Sequence, residues 1–421
     1  MLPTQPYLKT IERDLWYRTC FKFTNMQRKN KIGLVLSSPP GYSETFFRNK
    51  IRGLQEHGYE VVLFVENLDQ IPDDLNCSIY AASNFNGGIV LKVMTFFGVL
   101  IRSFIFHPMR TMKLYQLDKA DGVSITKRLK HIVLNAFILK HHVDWLHFGF
   151  GMLAVNRENV AQAMQAKMAV SFRGFDLYLS PLKHPNCYVN LFQKDVYYHV
   201  LSEEMKDDLT HYGIRDERIF VITPAIDVSF FKRPEALIKN SDHTLQIITV
   251  ARLHWKKGLE YTLEALEILK KTGVTFHFTV VGTGSEYERL VFAAYQLDIL
   301  EHITFIGKTS QKDIKTYLEN SDIYLQYSIQ EGFCNALLEA QSMGLLCISS
   351  DAEGLSENIL HEETGWVVPK RQPKLLAQKI QEVQSLSDSQ KATIRHKAVS
   401  RVQNQFNLER QVQAFLRLYQ L

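Results

Sequence analysis

At 421 residues, the chain is too long for one ordinary hydrophobic core and suits two domains of about 200 residues each. Its composition, 46% hydrophobic and 22% charged, is typical of soluble globular proteins and predicts a large packed interior. The net charge of only +5 argues against a nucleic-acid partner, because such partners usually require a concentrated basic face.

The cysteine pattern and the apolar segments indicate the compartment. Five cysteines are scattered along the chain with no C-x-x-C pair, which excludes a disulfide framework and a zinc site and favours a reducing compartment. Residues 1–30 lack the apolar centre of a secretory signal. The most apolar stretch, residues 89–106, is interrupted by Lys92 and Arg102. We therefore expect a cytoplasmic protein, with the inner face of the cell membrane as a candidate docking surface.

Short apolar runs alternate with amphipathic stretches in two successive blocks. The runs predict strands at residues 32–36, 61–65, 145–148, 168–172 and 197–201, and then at 246–250, 275–281, 323–327 and 346–349. Helical patterns lie between them, for example at residues 46–57, 203–211 and 259–271. Continuous apolar strands alternating with helices are typical of parallel sheets covered on both faces. The fold class is therefore α/β, with two doubly wound, Rossmann-like domains.

The joint between the two blocks is expected within residues 223–242, where Pro224 and Pro234 interrupt the periodicity. This gives an N-terminal domain at residues 1–228 and a C-terminal domain at residues 229–400. A final helix at residues 401–421 is expected to pack back on the N-terminal domain. Ligands of open α/β sheets bind beyond the carboxyl ends of the strands, so we expect an active-site cleft between the domains.

The segment from residue 328 to 350 is the most informative part of the chain, because two carboxylates lie eight positions apart in it, at Glu331 and Glu339. Gly332 allows a strand end to turn sharply into a helix, whose free N-terminal amides form an anion site. Eight helical residues would separate the carboxylates by about 12 Å. This layout fits a nucleotide sugar, with the diphosphate between the sugar and the ribose. The alternative is an amphipathic helix with two solvated glutamates.

A basic loop precedes this segment, with Arg252 and Lys257 between a predicted strand and a predicted helix. Fixed cations at such a point can hold a diphosphate and stabilise the negative charge that develops on a phosphate leaving group. The alternative interpretation is a solvated helix start. Lys256 is adjacent to Lys257 and is the competing candidate.

The ordered set of motifs resembles the family 4 glycosyltransferases, a retaining group with the GT-B fold. The C-terminal half contains V-A-R-L-H-W-K-K-G-L at residues 250–259, the E-x7-E pair, and E-T-G-W-V-V at residues 363–368. The N-terminal half contains P-G-Y-S-E-T-F at residues 40–46 and L-H-F-G at residues 146–149. The resemblance covers nearly the whole chain from about residue 31 and favours Lys257 over Lys256, since Lys257 directly precedes Gly258.

The resemblance implies a role for each matched position. Glu339 is expected to bind the ribose hydroxyls and Glu331 to approach the donor sugar, while Arg252 and Lys257 hold the diphosphate. The other donor-binding candidates share a backbone role near the sugar or phosphates: Gly41, Gly332, Phe333, Cys334 and Asn335. The acceptor-side candidates are Ser43, Glu44, His147 and Asp176.

One departure from the family pattern lies in S-F-R-G-F-D at residues 171–176, where Arg173 replaces a histidine that many members carry. Arginine stays protonated at neutral pH and cannot relay a proton, but it can hold a phosphate or an acceptor anion. We therefore retain Arg173 as a catalytic-site candidate without assigning its role, and carry over no histidine-based role.

The sequence contains no D-x-D triplet, which metal-dependent inverting enzymes commonly use. We expect no metal and no cofactor, and a UDP- or GDP-linked sugar as the donor substrate. The resemblance implies transfer with retention, in which the acceptor attacks from the face that the phosphate leaves.

A basic, apolar stretch at residues 127–139, supported by aromatic and basic residues 96–110, predicts contact with an anionic membrane surface. The alternative is that these are core-facing helices with ordinary basic rims.

The leading hypothesis is a retaining hexosyltransferase that extends a saccharide, presented on a lipid carrier, during synthesis of a cell-surface glycan such as an exopolysaccharide, capsule or lipopolysaccharide. The alternatives are the same reaction on a soluble acceptor and a non-catalytic partner subunit on the same scaffold.

Overall fold

The computed structural model describes residues 30–41, 44–68, 75–234 and 244–421 of the chain. The expectation about a secretory signal, the acceptor-side candidate Ser43 and residues 235–243 of the expected joint lie outside these ranges.

The described residues form two parallel sheets. The first has seven strands in the spatial order β3-β2-β1-β4-β5-β6-β7: β1 (Lys31–Leu36), β2 (Glu60–Val65), β3 (Ser78–Ala81), β4 (Trp145–Phe148), β5 (Lys167–Ser171), β6 (Val196–Val200) and β7 (Ile219–Val221). The second has six in the order β10-β9-β8-β11-β12-β13: β8 (Leu245–Val250), β9 (Phe276–Val281), β10 (Ile303–Gly307), β11 (Ile323–Gln326), β12 (Leu346–Ser350) and β13 (Trp366–Val368).

Helices cover these sheets. Those of the first domain are α1 (Thr45–Glu56), α2 (Ile89–Phe106), α3 (Pro108–Ala120), α4 (Ile125–Leu139), α5 (Gly151–Ala154), α6 (Val160–Met164), α7 (Ser180–Lys183), α8 (Val189–Phe192) and α9 (Glu203–His211), with a π-helical turn at Phe175–Leu179. Those that follow are α10 (Leu259–Lys271), α11 (Tyr287–Gln296), α12 (Gln311–Glu319), α13 (Asn335–Ser342), α14 (Leu355–Asn358), α15 (Pro373–Ser385), α16 (Asp388–Gln405) and α17 (Leu408–Tyr419).

The continuous apolar runs of the sequence identify the nine inner strands but not the four at the sheet edges. The four edge strands are β3, β7, β10 and β13. Edge strands have a neighbour on one side only and are shorter or less buried, as in β3, where every residue is at least partly exposed. They therefore lack the buried run that marks an inner strand.

The C-terminal helix α17 packs on the first domain, against α1 and β4. The indole Nε1 of Trp145 donates a hydrogen bond of 3.1 Å to the carbonyl of Tyr419. Gly53 of α1 lies so close to α17 that a Cβ on it would be 2.2 Å from a methyl group of Val412. The chain thus leaves the second domain through α16 and ends on the first, which ties the two together.

The structure corrects the membrane expectation for residues 127–139. In α4, Ile132, Val133, Phe137 and Leu139 are buried among the core residues of the first domain. The apolar side of this helix therefore packs inside the protein, as the alternative interpretation held. The exposed apolar surface of this region belongs instead to α2.

The contact between α1 and α17 predicts the effect of a methyl group at Gly53. We expect Gly53→Ala to lower the midpoint of thermal unfolding, because overpacking against the stiff Val412 side chain costs about 1–3 kcal/mol. The matched control is Gly98→Ala in α2, where a Cβ would meet no atom within 4 Å. Alanine there should leave the midpoint unchanged or raise it, since glycine costs a helix about 0.5–1 kcal/mol. Equal effects of the two substitutions would contradict the close packing.

Candidate active site

The candidate site lies where the carboxyl ends of the strands of both sheets face one another. In the second sheet the strand order reverses between β8 and β11, which is the position where open α/β sheets bind ligands. The loop after β8 contains Arg252 and Lys257, and the loop after β11 contains Glu331. The fold therefore brings the predicted cations and the first predicted carboxylate to one crevice.

An ion pair between Lys257 and Glu331 forms the centre of this crevice. The Lys257 Nζ donates a hydrogen bond to Oε2 of Glu331, and both side chains are less than one fifth exposed. Ser328 Oγ donates to the same carboxylate oxygen at 3.4 Å. Burial by itself would lower the pKa of Lys257, but the Glu331 carboxylate outweighs it and raises that pKa. Lys257 is therefore a fixed cation at neutral pH.

Backbone contacts hold the two loops together. The amide of Ile329 donates to the carbonyl of Lys256 at 2.8 Å. Gly258 has a positive φ of 61°, and a Cβ there would lie 2.2 Å from the carbonyl oxygen of Tyr327. A glycine is required at this point because a larger residue would meet backbone rather than a movable side chain.

The neighbouring cations differ in their surroundings. Burial lowers the pKa of Lys256, and the nearby charges of Lys257 and the exposed Arg252 add to that effect. The Arg252 charge also opposes the rise in the pKa of Lys257. The Lys256 Nζ lies 5.2 Å from the centre of the Phe175 ring, across the cleft on the first domain. Lys257, rather than Lys256, thus makes the hydrogen bond with Glu331.

Helix α13 begins later than the E-x7-E spacing implies. Its first residue is Asn335, so Glu331 lies in the preceding loop and only the stretch from Asn335 to Glu339 is helical. The helical part accounts for about 6 Å of rise, so the 12 Å expected for eight helical residues between Glu331 and Glu339 does not apply. In the preceding loop, a Cβ on Gly332 would lie 2.7 Å from the backbone nitrogen of Gly174.

The amide of Cys334 is not available to a ligand, in contrast to the expectation. It donates to Oδ1 of Asn358 at 3.0 Å, and Asn358 Nδ2 donates back to the Cys334 carbonyl at 3.1 Å. The residue before the helix, Cys334, provides no side-chain cap of the kind that serine or asparagine would give. The positive end of the helix dipole lies at this loop and favours an anion there.

The Glu339 carboxylate is half-buried and forms no hydrogen bond or ion pair with the part of the chain that the structure describes. Burial raises its pKa to about 8. Hydrogen-bond donors such as a pair of hydroxyl groups would stabilise this half-buried carboxyl group, because it has no partner within the described chain.

Two glycines bring the two domains into direct contact at the site. A Cβ on Gly174, in the first domain, would lie 2.9 Å from the backbone nitrogen of Gly332 in the second. Within the second domain, a Cβ on Gly354 would lie 1.9 Å from the Gly332 carbonyl oxygen. A side chain on Gly174 or Gly332 would force the domains apart, and one on Gly354 would displace the Gly332 loop.

Carboxylates reinforce this contact in both directions. The two oxygens of Glu357 accept hydrogen bonds of 3.0 Å from the amides of Glu203 and Glu204 at the start of α9. In return, the Gly354 amide donates to Glu204 at 2.9 Å. The sequence does not predict this interdomain pairing. The residues around a carboxylate in the sequence give no information about a distant amide that will donate a hydrogen bond to it.

Arg173 lies beside the glycine contact, on the first-domain wall. Its guanidinium stacks over the Phe46 ring at 3.8 Å, and its Nε is buried without a hydrogen-bond partner. Burial lowers its pKa to about 10, against the raising influence of the Asp176 and Glu44 charges. Arg173 therefore stays protonated at neutral pH.

The remaining first-domain candidates have local partners. The amide of Gly41, which is exposed, donates to Glu44 Oε2 at 3.0 Å. Asp176 is buried and accepts hydrogen bonds of 3.3 Å from the amides of Met152 and Arg173, and burial raises its pKa to about 6. In this structure Asp176 orders the loop that carries Arg173, rather than facing an acceptor.

His147 lies in the core of the first domain. Its Nδ1 is 2.5 Å from the Tyr419 hydroxyl and 3.2 Å from Lys50 Nζ, and its Nε2 is 2.7 Å from Ser171 Oγ. The ring is fully buried, and burial lowers its pKa well below the usual range. It thus anchors α17 and presents no surface to an acceptor.

Comparisons with known proteins agree with this architecture. Residues 43–230 match the model described as Glycosyltransferase Family 4, and residues 233–398 match the one described as Glycosyl transferases group 1. The chain therefore belongs to the glycosyltransferases that these two models together describe.

Two curated relatives and one solved structure extend the match. The amylovoran biosynthesis glycosyltransferase AmsK of Erwinia amylovora is 28% identical, over 80% of this chain and 86% of its own length. WcaL of Escherichia coli (strain K12), a protein named for colanic acid biosynthesis, is 26% identical over 90% and 96%. The crystal structure of Anabaena Alr3699/HepE with UDP has a TM-score of 0.68 at 16% identity, covering 93% and 100%. The fold of this glycosyltransferase is GT-B.

The raised pKa of Glu339 predicts how the stability of this glycosyltransferase depends on pH. The folded protein holds a proton on Glu339 up to about pH 8, whereas an unfolded glutamate releases it near pH 4.3. The contribution of Glu339 to stability should therefore fall as the pH rises from about 5 to 8 and then level off. Glu339→Gln should remove this contribution, so the unfolding free energy of the variant relative to wild type should increase over that interval in urea titrations. A difference independent of pH would contradict the burial of this carboxyl.

Proposed function

We propose that the protein transfers a hexose, with retention of anomeric configuration, from a nucleotide sugar to a lipid-linked saccharide during synthesis of a cell-surface glycan. The reaction takes place at the cytoplasmic face of the membrane. The observation that carries this proposal is the arrangement of Lys257, Glu331 and Arg252 at the reversal point of the second sheet, beside the uncapped N-terminus of α13. Such an arrangement is suited to a diphosphate with a sugar on one side.

Glu339 supports the nucleotide end of the donor. Its carboxyl group has no partner in the described chain and lies about one helical turn inside α13. Hydrogen bonds donated by vicinal ribose hydroxyls would favour its ionised form when the donor binds. The Anabaena structure that shares the fold was crystallised with UDP. A uridine diphosphate sugar is therefore our first choice of donor, with a GDP-linked sugar as the second.

The proposed chemistry breaks the bond between the anomeric carbon and the phosphate oxygen and forms one to an acceptor oxygen on the same face. The negative charge left on the diphosphate is stabilised by Lys257 and Arg252, which hold their charges before the reaction begins. The departing phosphate oxygen accepts the proton of the acceptor hydroxyl. Glu331 keeps Lys257 in place and lies beside the sugar, and Arg173 remains a cation in the opposite wall of the cleft, on the first domain.

We propose that no metal or other cofactor takes part, because protein cations are present where a metal would balance the diphosphate charge. Among the described residues no group of three or more histidine, cysteine, aspartate or glutamate side chains is placed to hold a metal ion.

The acceptor class is supported by the relatives, which are named for amylovoran and colanic acid biosynthesis. A growing surface glycan on a lipid carrier would reach the first domain from the membrane. The exposed apolar surface of that domain favours this acceptor over a soluble one.

The donor can be identified by thermal unfolding with a panel of nucleotide sugars. A true donor should raise the unfolding midpoint by mass action, corresponding to about 2.7 kcal/mol at a concentration 100 times its Kd. We expect a UDP-sugar to give the largest shift, and Glu339→Ala to reduce it. A flat response to all UDP-, GDP- and ADP-sugars would remove the basis of the proposal.

Two adjacent lysines offer a matched test of catalysis. Lys257→Ala should lower kcat by about 10²–10³-fold, because it removes a cation at the leaving group. Lys256→Ala removes an equal charge one position away and should have a much smaller effect. Turnover can be followed by proton NMR, in which the product should keep the anomeric configuration of the donor. Equal losses from the two substitutions, or an inverted product, would contradict the assigned mechanism, and turnover of any kind excludes a silent subunit.

A further inference from the structure

Helix α2 exposes a continuous apolar face to solvent. Val90, Met94, Phe97, Ile101 and Ile105 recur every three or four residues and so lie along one side of the helix. Each of these five side chains is between 52% and 74% exposed. Monomeric soluble proteins seldom expose an ordered apolar stripe of this kind, and those that do usually use it for binding. We call these five residues the apolar face.

The opposite side of α2 is held in the fold. Leu100 and Phe104 pack against the main buried cluster, and Ser103 is 6% exposed. The Thr111 hydroxyl of α3 donates to the Ser103 carbonyl at 2.9 Å. By length and composition alone, the 18 residues of α2 could span a membrane: they are apolar, and the helix is about 27 Å long, close to the thickness of a bilayer core. However, spanning a membrane would require the packed side to leave the domain. The geometry instead suits a helix lying in the plane of a membrane interface.

The charges around the apolar face favour an anionic partner. Helices α2 and α3 contain five lysines and arginines and a single acidic residue, Asp118, which is buried and paired with His131. Lys92 and Arg102 of α2 and Lys113 of α3 are exposed. A second copy of this chain docked through the same face would bring these cations together, which is unfavourable. An anionic lipid surface attracts all of them.

A cavity of about 430 Å³ lies between α2 and α4 and combines the same two properties. Phe96 of α2 forms part of its wall, together with Phe85. Its basic residues are Lys127, Lys130 and His131. A lipid phosphate with the beginning of its hydrocarbon chain matches this lining in both charge and polarity.

We infer that α2 inserts its apolar face into the headgroup region of an anionic bilayer, with the helix axis parallel to the surface. The helix does not span the membrane, and the cations beside it bind lipid phosphates. This inference rests on the proposed function in one respect: the membrane is taken to supply the lipid-linked acceptor. Membrane contact of this kind would hold the first-domain wall of the cleft close to a lipid-linked saccharide.

The test is co-sedimentation of the full chain with vesicles of phosphatidylglycerol and phosphatidylcholine, without any nucleotide sugar. The double variant Met94→Gln, Ile101→Gln should bind these vesicles at least about tenfold more weakly than wild type. The matched control is Phe292→Gln, Tyr295→Gln on α11, which removes two equally exposed apolar residues from the second domain. This control should bind as wild type does. All four positions are exposed, and equal midpoints of thermal unfolding will show that the variants are folded.

A second variant tests the charges. Lys92→Gln, Arg102→Gln should weaken binding to phosphatidylglycerol vesicles and reduce its salt dependence, with little effect on pure phosphatidylcholine. Three results would overturn the inference: equal binding by the apolar-face variant and its control, a dimer without lipid that the apolar-face variant abolishes, or resistance of bound protein to alkaline carbonate extraction. Vesicle binding is measured without turnover, so the two proposals can fail separately. Absence of vesicle binding would not contradict the transferase proposal, and absence of transferase activity would not contradict the membrane contact.

Discussion

The close approach of Gly174 to Gly332 is the constraint on which the rest of the site depends. Two loops from different domains can touch through their backbones only if neither residue has a Cβ, and Gly354 meets the same loop from the other side. The reciprocal hydrogen bonds of Glu357 and Glu204 then hold this contact at its edge. Without it, the cations of the second domain and Arg173 of the first would not form two walls of one cleft.

Electrostatics within the cleft follow from this geometry. Lys257 remains charged although it is buried, because Glu331 is adjacent. Glu339 has no partner in the described chain, and burial raises its pKa. One glutamate therefore stabilises a cation of the protein, and the other has no partner of its own. Identical residue types thus take different roles because their surroundings differ.

The first domain has two further features: a buried cluster that holds the C-terminal helix and an exposed apolar helix. Beneath α17, the His147 ring joins Lys50, Ser171 and Tyr419, and it ties the C-terminal helix to the sheet. On the outer side of the domain, one side of α2 packs against the core, and its apolar face is exposed to solvent. One wall of the candidate cleft and the inferred membrane contact therefore belong to the same domain, which would orient the cleft relative to the acceptor.

The sequence by itself determined the two parallel sheets and the nine inner strands, because buried strands leave local patterns, and it predicted Arg252, Lys257, Glu331 and Glu339 as site candidates. Only the tertiary structure decided where α13 begins, that the Cys334 amide is occupied by Asn358, and that His147 is enclosed. It also decided that the apolar side of α4 is core while that of α2 is surface. An apolar helix face looks the same in sequence whether protein, solvent or lipid covers it, since burial depends on residues that are distant along the chain.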